Sequence, residues 1–181
     1  GVDFSVLDHK ISGSLEFFNK TSKDLLGSIP NDPTTGWATI NSNYGSMRNT
    51  GFELEVRSIL YSKGVFIWSI DLNLSNVKNE VTFVENEQNR ASLFISGGAG
   101  SIKNGKPFAS LYNFNHVGLS TTGNYLVADQ NGMEFEGSES GGLTYDDLIY
   151  SGQTDPTYFG GLKTNFSYKQ LNLEVLFTYK G

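Results

Sequence analysis

Asn43-Tyr44-Gly45-Ser46-Met47-Arg48-Asn49-Thr50-Gly51-Phe52-Glu53-Leu54-Glu55-Val56-Arg57 is the stretch from which the rest of the chain can be read. From Phe52 onward, apolar and charged residues alternate with period two, as on a strand with one apolar and one polar face. Upstream, Gly45 and Gly51 allow positive φ or a close backbone approach, and Asn43 and Asn49 suit hydrogen bonds to nearby backbone. The expectation is a structural junction where a loop enters a strand, built from Asn43, Gly45, Arg48, Asn49, Gly51 and Glu53. Arg48 is expected to pair with Glu53 or Glu55.

The same alternation marks six strands, at about 2–8, 11–19, 51–60, 65–76, 159–168 and 171–179. The fourth is the cleanest, with Phe66, Trp68, Ile70, Leu72 and Leu74 opposing Ser69, Asp71, Asn73 and Ser75. Connections are short at 9–10, 61–64 and 169–170, and long at about 20–48 and 78–157. Successive turns of a meander lie at opposite ends, so the short turns share one end and the long loops the other. Outer-membrane barrels show that asymmetry, and strands of roughly 9–11 residues suit a tilted crossing. Tyr61, Phe66 and Tyr168 flank the short turns, while Phe17, Phe18, Tyr158 and Tyr179 stand toward the opposite ends, where interfacial aromatic girdles would sit. The expected class is all-β: an antiparallel up-and-down meander forming part of a transmembrane β-barrel with long extracellular loops. A soluble β-sandwich or small barrel, acting as a carbohydrate-binding or adhesin module, is the alternative. It would carry the same alternation with its apolar face turned inward. Both ends of the sequence read as strand, so an internal piece of a longer protein is expected.

A structureless loop as long as 78–157 is unusual in a compact domain, so it is expected to be a folded excursion. Strand-like pieces occur at 91–96, 110–119 and 124–128, interrupted by Gly97-Gly98-Ala99-Gly100 and Thr121-Thr122-Gly123-Asn124. Within it, Tyr112, Phe114 and Tyr125, together with Trp37 from the other long loop, are the candidate ligand contacts. Their rings would stack on sugar faces while Asn113 and Asn115 bond hydroxyls. Packing within the loop is the other reading of the same residues.

Composition narrows the classes. The 181 residues include 21 Gly, 13 Phe and 9 Tyr but only 2 His, and 18% are charged. Soluble domains average roughly 25% charged. A net charge of −6 and the lack of a Lys/Arg stripe argue against nucleic acid as a partner. With no cysteine there is no disulfide, thiolate chemistry or Cys-ligated zinc. Apolar runs stay far below the roughly 20 residues of a membrane helix. Gly100-Ser101-Ile102-Lys103-Asn104-Gly105-Lys106 matches a phosphate-loop core, but Pro107 replaces the required hydroxyl and no helical pattern follows. Asp129-Gln130-Asn131-Gly132 fails the calcium-loop spacing and reads as a turn. His9, His116, Glu136, Glu139, Asp146 and Asp147 form no catalytic or metal-ligand pattern. No catalytic, cofactor or metal site is expected, and an enzyme is not.

At this point four stretches together resemble SusC/RagA-like TonB-dependent outer-membrane transporters. Gly1-Val2-Asp3-Phe4-Ser5 with Ser12–Lys20 and Asp24-Leu25-Leu26 looks like one family hairpin. Asn43–Glu53 is similar to the family signature N-x-G-x-M-x-N-x-G-x-E. Gly105-Lys106-Pro107, Tyr112, Gly118, Gly123, Asp129, Asn131 and Gly132 look like an extracellular segment. Tyr150, Gly152, Pro156, Tyr158, Gly160-Gly161-Leu162, Phe166–Lys169 and Leu176–Tyr179 look like a late barrel hairpin. The resemblance implies a bacterial outer-membrane protein whose plugged barrel of roughly 22 strands imports glycans or peptides. It implies outer-membrane lipid, the rest of the barrel and its plug, a SusD-like surface lipoprotein and TonB as partners. The last two act through parts absent here; no cofactor is implied.

Overall fold

Alternation becomes strand throughout the computed structural model. It describes every residue except 31, 38, 86 and 97–101, and for 28–30, 33, 39 and 138–140 the backbone alone. The described residues form ten strands: β1 (Val2–Val6), β2 (Ile11–Pro30), β3 (Thr39–Lys63), β4 (Phe66–Val84), β5 (Ser110–Leu119), β6 (Tyr125–Ala128), β7 (Glu134–Glu136), β8 (Leu148–Gln153), β9 (Tyr158–Tyr168) and β10 (Leu171–Lys180). One short helix, α1 (Ala91–Ser96), lies between β4 and β5. The chain divides into two compact units. The first holds Gly1–Lys20, Asn49–Lys78 and Pro156–Gly181, and the second Thr21–Arg48 and Asn79–Asp155.

A six-stranded sheet runs in the order β1-β2-β3-β4-β9-β10. In the first unit its register keeps like with like. Val2 faces Leu15 and Phe4 faces Gly13. Trp68 faces Phe166 and Leu72 faces Leu162, and Leu173 faces Phe166 while Phe177 faces Leu162. One face of this unit is therefore continuously apolar and the other is polar. A one-residue slip in any pair would exchange the faces, so the pattern itself fixes the register. The tight ends are tied by backbone bonds from Ile59 N–H to Lys10 O (2.8 Å) and from Lys169 N–H to Val65 O (3.2 Å).

The second unit carries its own smaller sheet, ordered β7-β6-β5-β8, and its own core. Tyr44, Val81, Val84 and Ile102 form one buried cluster. Ala91, Val127 and Leu143 form another, with Phe114, Phe135 and Leu148 packed against it.

Several expectations change. The loop expected at 20–48 is mostly strand, because β2 runs on to Pro30 and β3 already starts at Thr39. Asn43–Glu53 therefore lies inside β3 and is not a loop-to-strand junction. Strands β2, β3 and β4 lengthen together because each supplies the next with backbone partners. Residues 91–96, expected as strand-like, form α1; Ala91 and Phe94, three apart, share its buried side. Strands β7 and β8 appear where none was expected. Residues 97–101, which include the Gly97–Gly100 break and the start of the phosphate-loop match, lie outside the described residues.

Candidate functional site

Three surfaces concentrate the chemistry of this chain. The first is the apolar face of the first unit, which nothing among the described residues covers. Leu171 is 73% exposed, Leu173 60% and Phe177 59%, and among the described residues every buried apolar side chain belongs to the second unit. At roughly 25 cal/mol per Å² of apolar surface, such a face is costly to leave in water. Trp68 stacks on Phe166 with centroids 5.5 Å apart. Its indole Nε1–H donates to Thr164 Oγ1 at 2.9 Å, so the polar atom on this face is satisfied by the neighbouring strand. Tyr61 and Phe66 meet at 5.8 Å beside the short turn.

The opposite face carries a charge ladder centred on Asp71. Arg57 Nε lies 2.6 Å from Asp71 Oδ1, and Lys163 Nζ 3.4 Å from Oδ2. Asn165 donates to the same oxygen at 3.3 Å, and Lys163 also reaches Glu174 at 3.9 Å. The ladder thus spans β3, β4, β9 and β10, four strands that bring together residues far apart in sequence. Sequence reading placed these charges on polar faces but missed the network; their shared strand parity was the signal available.

Neither Gly45 nor Gly51 has a positive φ. A Cβ on Gly51 would run into the Asn76 carbonyl oxygen and the Phe18 ring, and one on Gly45 would press on the Phe83 carbonyl. Close approach, not turn geometry, is what these glycines provide. Arg48 does not pair with Glu53 or Glu55: its Nη2 donates to Glu80 Oε2 at 3.2 Å, across to β4. Within a strand, neighbouring strands offer nearer partners than residues further along the same one. Asn43 is exposed on β3, and Asn49 and Glu53 lie on the same strand.

The residues expected to contact ligand do not converge on one site. Tyr112 is 5% exposed and packs among Phe94 (5.5 Å), Tyr145 (5.3 Å) and Tyr150 (5.8 Å). It is a core residue, held there because β5 lies inside its sheet. Lys103 sits 4.4 Å from the Tyr145 ring centroid and pairs with Glu87 at 2.7 Å; burial raises the Tyr145 hydroxyl well above its ordinary pKa. Phe114 packs against the second core. Asn113 donates to Ser151 Oγ at 2.8 Å, and Asn115 is half-buried beside it on β5. Tyr125 remains exposed against His116 at 5.8 Å, and Trp37 is exposed in the 31–38 connection.

Acidic groups of the excursion are used locally. Asp129 accepts from the amides of Asn131 and Met133, each at 2.8 Å, closing the turn expected there. Glu136 accepts from Asn124 at 2.9 Å, and hydrogen bonds from Asn124, Ser120 and Thr122 hold its carboxyl below the usual range. Among the described residues no cluster of three or more potential metal ligands occurs.

The third surface is an apolar cleft of about 480 Å³ within the second unit, between the far ends of β2, β3 and β4 and residues 102–111. Met47, Phe83, Phe108 and Leu111 contribute to its lining.

An open sheet with one bare apolar face and one charged face has the features of a barrel wall. Comparison with known proteins agrees: residues 1–180 match the family described as TonB dependent receptor-like, beta-barrel. The chain belongs to that family. TonB-dependent receptor P39 of Formosa agariphila is 29% identical over 119 residues, covering 66% of this chain and 11% of that protein. SusC of Bacteroides thetaiotaomicron, a TonB-dependent receptor, is 29% identical over 83 residues, 45% of this chain and 8% of SusC. The structure of the RagAB peptide importer in its open-open state superposes with a TM-score of 0.73 at 22% identity, over 97% of this chain and 19% of that one. The chain thus spans less than a fifth of the length of these relatives.

Proposed function

We propose that this chain is a wall-and-mouth segment of a TonB-dependent importer in the bacterial outer membrane that takes up glycans or peptides. The observation that carries the reading is the first unit's single-layer sheet, apolar and uncovered on one face and charged on the other. A soluble sandwich would bury that apolar face under a second sheet. In a barrel wall lipid takes it, while antiparallel neighbours satisfy the backbone. The Asp71 ladder then faces the water-filled or plugged interior, where charges keep their hydration. The second unit stands at the extracellular mouth. The remaining strands, the plug, a surface lipoprotein and TonB complete the machine through parts of the assembly beyond this chain.

Two measurements test this. The full-length protein should fractionate with the outer membrane and, unheated, run faster on denaturing gels than after boiling, as closed barrels do. Its deletion should abolish uptake of its cargo, as should disruption of TonB. Recovery of the full-length protein in a soluble fraction without detergent would end the reading.

A further inference from the structure

At the end of the first unit that holds its three tight turns, each turn carries one lysine. Lys10 closes the β1–β2 turn, Lys63 precedes the β3–β4 turn, and Lys169 begins the β9–β10 turn. All three are exposed, and among the described residues none forms an ion pair. Asp8 is the only acidic residue in these turns. The β3–β4 and β9–β10 turns adjoin, since Lys169 N–H donates to Val65 O at 3.2 Å. Beside them run three aromatic rings. Tyr61 meets Phe66 at 5.8 Å, and Phe66 faces Tyr168 in the β4–β9 register. Lys169 Nζ lies 5.5 Å from the Tyr168 ring centroid. The turns also keep Leu7 67% and Val65 55% exposed. Bare apolar groups and rings beside uncompensated ammonium groups suit a boundary between oil and water better than bulk water.

The order of chemistry along the strands says what meets this boundary. Toward its turn, β9 presents Leu162, Phe166 and Tyr168, and Lys169 follows. Toward the neighbouring turn, β4 presents Leu72, Trp68 and Phe66, with Lys63 just across the turn. A glycerophospholipid lying along the apolar face repeats that order as acyl chains, ester groups and phosphate. Amphipathic rings belong at the ester level, and the ammonium groups then stand at the level of the phosphate. A zwitterionic headgroup carries a cation of its own and cannot neutralise three lysines. A headgroup of net negative charge can.

We infer that this rim binds the phosphates of anionic glycerophospholipids, so that the turn end of the wall selects headgroup charge. The inference rests on the barrel-wall reading and adds to it a preference among lipids.

The experiment offers the full-length protein, purified in detergent, equal amounts of dioleoylphosphatidylglycerol and dioleoylphosphatidylethanolamine. Lipid that stays with the protein through gel filtration is extracted and counted by mass spectrometry. The wild type should retain phosphatidylglycerol in preference. A triple variant, Lys10→Gln with Lys63→Gln and Lys169→Gln, should lose at least about fivefold of that preference, the weight of one lysine at an anionic surface. Lys20→Gln with Lys23→Gln and Lys180→Gln removes the same charge elsewhere and should keep it. The heat-dependent gel shift establishes that each variant is a folded barrel. If the first triple variant does not fold, the wild type decides alone: its preference should vanish in about 1 M NaCl, where the Debye length is about 3 Å. Equal retention of the two lipids by the wild type would overturn the inference. So would an unchanged preference in the folded first variant, an equal loss in both variants, or a preference that survives salt. Each of those results leaves the wall reading standing, because outer-membrane fractionation and the gel shift are measured separately.

Discussion

Gly51 has no room for a side chain. Its Cβ position is filled by the Asn76 carbonyl oxygen and the Phe18 ring, so Gly51→Ala must force β3 and β4 apart or displace Phe18. Overpacking of that kind costs about 1–3 kcal/mol, and the midpoint of urea-induced loss of the heat-dependent gel shift should fall accordingly. Gly161→Ala, whose Cβ would stand 3.3 Å from the Phe177 carbonyl, should cost less; equal effects would argue against a specific contact at Gly51. At Asp147 the expectation concerns pH. Burial pushes its carboxyl up, but the amides of Thr144 and Gln130 and the Thr144 hydroxyl outweigh it and hold the group below its usual value. The bonds measure 2.7, 3.1 and 2.8 Å. A depressed folded pKa contributes stability that is fully present above the unfolded value, about 3.9 for Asp. That contribution is lost as pH falls below it through the folded value. Amide protection at Thr144 and Gln130, corrected for intrinsic exchange, should therefore decline below about pH 4. Asp147→Asn should flatten that decline. Sequence reading recognised Gly51 as a backbone-packing position but could not choose turn from close approach, because the choice depends on β4, which contacts it only after folding. For Tyr112 the same limit left both readings, ligand contact and packing within the loop, open: an aromatic between Leu111 and Asn113 reads alike on an exposed strand and on one packed against Phe94 and Tyr145.

Strand parity is the best-read feature at the scale of elements. In β10, Leu171, Leu173, Val175, Phe177 and Tyr179 fall on one face and Asn172, Glu174 and Thr178 on the other, with registers to β9 that match apolar to apolar. Period two is local and needs no partner to be seen. Strand ends are different. Nothing in residues 20–30 alternates strongly, yet β2 extends there because β3 offers it a ladder, and hydrogen bonding to a neighbour overrides weak local preference. The six residues of α1 are too short to separate helix from strand by periodicity. Parity also supports a test of which face meets lipid. Phe177 and Thr178 are adjacent, at nearly the same depth, and on opposite faces. Phe177→Arg should destabilise the full-length barrel by up to about 2–4 kcal/mol if near the bilayer midplane, and less toward an interface. Thr178→Arg should change stability little, since it points where water or polar groups can hydrate it. Both are read from folding equilibria in lipid vesicles, and a larger loss at Thr178 would reverse the assignment of faces.

The two faces of the sheet are legible in the sequence, but the direction in which they point is not. A sandwich and a barrel wall share the alternation, and only the number of layers separates them. Here the structure decides: Leu171, Leu173 and Phe177 stay bare, while the described apolar core lies entirely within the second unit. The charge ladder balances that face chemically, since four charged side chains joined around Asp71 are as unsuited to lipid as the opposite face is to water. This arrangement makes a demand on the isolated chain. Strands β1 and β10 are the edges of the six-stranded sheet, so each offers an unpaired row of N–H and C=O groups beside a bare apolar surface, and such edges template association. The 181-residue chain produced alone should therefore sediment as large, polydisperse aggregates in plain buffer. Detergent micelles should shift it to a small, uniform species with a β-type circular dichroism spectrum, because the micelle covers the apolar face. The second unit, with its own buried cores, should retain protection against proteolysis under both conditions more than the first. A monodisperse monomer in plain buffer would mean that something covers Leu173 and Phe177 without lipid, and the wall assignment would then fail for the whole molecule.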